Sequence, residues 1–179
     1  MLDISVMAIA SWDELIKRLE TEDPAKIDIV DYIQWTPDSP DLPSNLNSMH
    51  EEFFDKWYSI LERCPGKLKA GIQNVFLVYL STFGNSPEQW ANKNELPMRA
   101  YQCRDSIWDW VHSALSPDTV KELATHAAKF DVDLYEPYFR AKRKDWFSSF
   151  ERFKKYAQAW LAIILEAADF KAGLIITIL

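Results

Sequence analysis

Residues 145–171 read DWFSSFERFKKYAQAWLAIILEAADFK, and they decide the fold class. Trp146, Phe150, Phe153, Ala157, Trp160, Ile164 and Ala167 follow one another at alternating spacings of four and three. A helix places such positions on one side, and a strand, with period two, does not. Between Ala157 and Leu165 only Gln158 interrupts the apolar character, so that half needs more than one covering neighbour. Ala159 and Ala162 leave room there for a second helix to approach, and Arg152 and Lys155 fall on the outer side. The reading is a long helix at the centre of an all-α, bundle-like domain of about seven to nine helices.

Working outward, several further helices carry their own start and stop signals. Ser11 with Glu14 is a capping-box pattern ahead of Leu15, Ile16 and Leu19, which predicts a helix over 12–20. Ser48 with Glu51 repeats the pattern before Met49, Phe53, Trp57, Ile60, Leu61 and Cys64, and Pro65 and Gly66 end that helix. Lys67 to Phe83 carries Leu68, Ile72, Val75, Phe76, Tyr79, Leu80 and Phe83 on one side, with Gly84 as its stop. Met98 to Leu115 reads as another helix. Ser116, Pro117 and Asp118 open the next, with Val120, Leu123, Ala124 and Ala127 inward. Asp131 and Asp133 suggest a cap or turn, and Pro137 begins a further short element over 134–142.

Residues 27–35 suit a helix or a short strand, with helix favoured, because β-branched residues compete with the helical period. The TPDSPDLPS stretch over 36–44 holds three prolines and reads as a loop. The closing LIITIL is uncharged and apolar, so it is expected to be covered by this chain or by another.

A length of 179 residues favours one domain, spanning 1–179. Aromatic residues make up 14%, including eight tryptophans, which points to bulky aromatic packing between helices rather than a ligand cage. Cys64 and Cys103 have no metal-ligand or disulfide spacing; Cys64 falls on a core face, and a reducing compartment fits. The first residues lack a basic leader and long apolar run, and no later stretch approaches a membrane span. The expectation is a soluble, cytoplasmic chain with no cofactor. Nucleotide, zinc-protease, hydrolase and calcium-loop motifs are all absent, so nothing nominates a reaction.

Charge carries the functional signal. The net charge is −7, yet residues 1–65 hold 14 acids against 5 bases while the remainder is nearly balanced. Glu51, Asp55 and Glu62 lie on one outward helical face with Glu52 beside them, and Asp38 and Asp41 add acids in the loop before it. Like charges at that spacing cost about 0.2–0.5 kcal/mol per pair, so the ridge does not serve the helix itself. It suits either solvation or a partner protein with a basic surface. The leading expectation is an inhibitor or immunity-type protein that covers such a partner, for example a toxin.

Two alternatives come from other classes. Asp105, Asp109 and His112, spaced four and three, would share a face of the helix over 98–115, and two carboxylates with an imidazole suit a metal-dependent hydrolase, with Arg104 holding an anionic group. Arg140, Lys142, Arg143, Lys144, Arg152, Lys154 and Lys155 form the one basic region, opposed by Asp145 and Glu151. Balancing the acidic first third within the fold is preferred to contact with nucleic acid, because no aromatic-basic reading motif is evident there.

Overall fold

The computed structural model describes residues 4–9, 11–22, 33–35, 46–77, 111–141 and 145–178. Helices hold most of these residues, as the apolar periodicity predicts. They are α1 (Trp12–Thr21), α2 (Leu46–Arg63), α3 (Gly66–Ile72), which widens into a π-helical segment Gln73–Leu77, α4 (Pro117–Ala127), a 3₁₀ helix Val132–Tyr138, and α5 (Phe150–Asp169). What the periodicity did not show is a four-stranded antiparallel sheet. Its strands are β1 (Ile4–Ile9), β2 (Ile33–Trp35), β3 (Val111–Leu115) and β4 (Gly173–Ile178), in the order β2-β1-β4-β3.

Two readings change here. The helix expected over 98–115 does not reach its end, because Val111–Leu115 pairs with β4 from Val111 opposite Ile178 to Leu115 opposite Leu174. Within 27–35, Ile33–Trp35 is extended and pairs with β1. In both places β-branched or short apolar stretches take their structure from a distant partner rather than from local propensity. The apolar tail pairs within the chain: β4 lies between β1 and β3, and Ile4–Ile9 meets Ile178–Gly173 residue for residue. The loop over 36–44 lies outside the described residues.

The helical core is largely aromatic. Phe53 and Trp57 of α2, Phe76, Tyr135, Phe147, and Phe153, Tyr156 and Trp160 of α5 are all buried. Trp57 stacks on Phe76 at 4.4 Å, and Phe53 meets Tyr156 at 4.6 Å and Phe153 at 5.5 Å between ring centres. Each such pair adds about 0.5–1.5 kcal/mol beyond the area it buries. Leu115 of β3 and Leu174 of β4 join this cluster, so the sheet packs one face on it. Successive residues of a strand face opposite ways, and Gly173, next to Leu174, is covered by the Trp12 ring. Trp12 and Leu15 are buried on that second side, which places α1 across the sheet from the helical core.

α5 begins later than its apolar stripe suggests. Ser149 caps it by accepting from the Arg152 amide, so Trp146 precedes the helix and is 37% exposed instead of packed inward. Phe150, Phe153, Ala157, Trp160, Ile164 and Ala167 keep the expected buried side, while Ala162 is exposed. α4 starts as read, with Ser116 accepting from the Thr119 amide and Pro117 at the first helical position. The capping boxes fare less well: Ser11 makes no side-chain cap, and α2 already begins at Leu46, ahead of Ser48.

Candidate functional site

α2 positions the acids that the sequence singles out. One side of it carries Phe53, Trp57 and Ile60 into the aromatic core, all fully buried. The opposite side must then face water, and residues three, four and seven apart along it form a stripe. Asp55 and Glu62 lie on that stripe, two turns or about 10 Å apart along the axis, and both are exposed. Neither has an ion-pair partner among the described residues. Glu51 belongs to the first turns of the same helix. Asp38 and Asp41 lie outside the described residues.

Tyr58 is the residue that charge-based reading passes over. It falls three after Asp55 and four before Glu62, and it is 47% exposed. The stripe is therefore two carboxylates with a phenol ring between them. Its spacing was available in the sequence, where Tyr58 breaks the apolar pattern on the outer side.

Glu52 does something other than face a partner. It sits at the edge of the stripe, half-buried, and its carboxylate accepts the Trp146 backbone N–H at 2.8 Å. Next along this edge, Lys56 is buried and donates to the Asp145 carboxylate at 2.6 Å and to the Arg140 carbonyl at 2.9 Å, with the Phe139 ring 5.5 Å away. Arg63 completes the row by donating to the Tyr138 carbonyl at 2.9 and 2.7 Å. α2 thus has three sides: one in the core, one that grips the segment leading into α5, and the exposed acidic stripe.

Among the described residues the basic region makes no ion pair with an acid of the first third, and residues 142–144 lie outside them. Lys154 pairs with Asp133 at 2.5 Å, and that carboxylate raises the Lys154 ionisation above its ordinary value. Arg152 lies over the Trp146 ring at 5.4 Å. Arg140 and Lys155 are exposed and have no ion-pair partner among the described residues. In α1, Arg18 holds Glu22 through paired 2.9 Å hydrogen bonds and lowers its carboxyl ionisation.

The Asp105, Asp109 and His112 set loses the geometry that suggested it. His112 stands in β3, opposite Thr177, so it is not on the helix over 98–115 that the spacing assumed. Asp105 and Asp109 lie outside the described residues, as does Arg104. Among the described residues no group of three His, Cys, Asp or Glu is placed to hold a metal ion. Cys64 is buried in the core, and burial pushes its thiol ionisation up, away from the reactive thiolate. His126 is exposed near the end of α4.

No helix among the described residues is long and apolar enough to cross a membrane. No protein-family model, no curated protein and no solved structure matches this chain.

Proposed function

We propose that the chain is a protein-binding domain of the inhibitor or immunity type, which covers a basic partner such as a toxin with the outer stripe of α2. The observation that carries this reading is the exposed set Asp55, Tyr58 and Glu62 on a helix whose opposite side is locked into the core. Two exposed carboxylates supply attraction to a basic surface, and their field speeds encounter with it. A tyrosine between them supplies the amphipathic contact area on which binding energy concentrates, at little cost in side-chain entropy. Because core packing fixes the helix, little backbone ordering accompanies docking.

The test is affinity capture from the native lysate with the full chain, run beside a variant carrying Asp55→Lys, Tyr58→Ala and Glu62→Lys. The expected result is one stoichiometric basic protein that salt elutes, that binds again when purified, and that the variant does not retain. The absence of a stoichiometric partner overturns the proposal. So does a partner held equally well by the variant.

A further inference from the structure

One side of α5 is left to solvent. Lys155, Gln158, Ala162, Glu166 and Asp169 are all exposed, and their spacings of three, four, four and three place them on one line along about 21 Å of the axis. That line is opposite the buried Phe153, Ala157, Trp160, Ile164 and Ala167. Its charges are ordered, with a base toward the amino end and two acids in the last turn. The order works against α5 by itself. Unpaired carbonyls make a helix C-terminus negative and repel carboxylates there, and α5 has no base in its last turn. Among the described residues, Lys155, Glu166 and Asp169 make no ion pair within the chain.

Reversed end for end, the same order is complementary to itself. Ala162 is the midpoint: Lys155 lies seven residues before it and Asp169 seven after, with Gln158 four before and Glu166 four after. A second α5 laid antiparallel, Ala162 on Ala162, sets each Lys155 at the level of the other copy's Asp169 and within one turn of its Glu166. A parallel copy would set Lys155 against Lys155 and acids against acids. The small side chain of Ala162 lets the two axes approach closely at the centre.

We infer that the chain forms a homodimer through this face, by antiparallel packing of α5 on α5 about a two-fold axis at Ala162. A two-fold contact uses one patch twice, so the patch has to complement itself, and here its charges do. Each lysine is bracketed by two carboxylates, and the acids at each helix end gain the cation their own helix lacks. The net charge of −7 on each copy opposes approach. At physiological salt that repulsion is screened beyond about 8 Å, whereas the paired groups meet directly. A single helix face is a small interface, so the dimer is weak and reversible. It takes no residue from α2 and carries the acidic stripe twice.

The test is sedimentation equilibrium of the full chain at physiological salt, from about 5 to 500 μM, where a monomer–dimer equilibrium is expected. Lys155→Glu should weaken association about tenfold or more, as should Glu166→Lys with Asp169→Lys. All three reversals in one chain restore the complementary order and should recover the dimer. The two defective variants, mixed, should form a heterodimer although neither dimerises alone. Ala162→Trp, at the exposed centre, should block association and leave the helical circular dichroism unchanged. Glu166→Lys with Asp169→Lys should also raise the melting temperature of the monomer, because it removes repulsion at the helix end. Asp55→Asn with Glu62→Gln should leave dimerisation as it is, so the α2 stripe and the α5 face are judged separately. A monomer at every concentration overturns the inference, as do a dimer indifferent to Lys155 and Ala162 and a loss that the combined reversals do not recover.

Discussion

Tyr135 and Tyr156 make the molecule sensitive to alkali. Burial raises the Tyr135 phenol to about 12 from its ordinary 10.0, helped by the nearby Cys64 and Asp131, while its hydroxyl donates to the Leu68 carbonyl at 3.0 Å. Burial raises Tyr156 as well, against a smaller opposing effect of Trp160, and it raises Cys64 from 9.0. In each case the unfolded chain releases its proton first as pH rises, so the stability these groups contribute is intact below their unfolded values and declines above them. Urea midpoints should begin to fall near pH 9 and fall more steeply above 10. Tyr135→Phe should flatten the upper part of that profile, and an unchanged slope would refute the assignment. Gly173 is a second sensitive position, for a steric reason. A methyl group there would overlap the Trp12 ring, so Gly173→Ala should cost about 1–3 kcal/mol, and Trp12→Leu in the same chain should recover part of it.

At the scale of elements, the grip of α2 on the residues leading into α5 is the most specific arrangement. Lys56→Met would leave the Asp145 carboxylate and the Arg140 carbonyl without their shared donor. Because Asp145 keeps 21% of its side chain in solvent, the loss should be about 2–3 kcal/mol, below that of a fully buried pair. Adding Asp145→Asn should restore some of it, and denaturation of the single and double variants measures the coupling directly. None of this was legible in the sequence, since Lys56 and Asp145 are 89 residues apart. The elements that could be read carry their information locally. α5 shows its apolar stripe, α4 its Ser-Pro start, and α2 both its core side and its acidic ridge. The strands could not be read so, because β3 is five residues and β2 three, too short for periodicity to outweigh pairing with distant strands. Trp146 was misplaced because its spacing continues the α5 stripe through Phe147–Ser149, where the Ser149 cap begins the helix instead. Of the candidate site, Asp55 and Glu62 stand where spacing put them, while Glu52 turns to the Trp146 amide.

Taken whole, the molecule is a helical layer with an aromatic core, a sheet set against it, and α1 across the sheet. The acidic stripe lies on the outside of α2, and the groups that helix grips, on Tyr138, Arg140, Asp145 and Trp146, lie along its edge. The core packing of α2 and these four anchors hold the helix on two sides and leave its acidic stripe on the third.

The pairing of β1 with β4 bears on the order in which the chain acquires its structure. Ile9 meets Gly173, so almost the entire sequence between them must be gathered before the centre of the sheet exists. Closing a loop of that length carries a large entropic penalty, and contacts of such long range slow folding. α2 and α5 need only the aromatic core to form. In pulse-labelled amide exchange during refolding, the amides of α2 and α5 should gain protection first, and those of Ile4–Ile9 and Gly173–Ile178 last and together. Before that final step the molecule would be a helical layer with two unjoined strands, and its exposed strand edges would be the most vulnerable to mispairing with another chain.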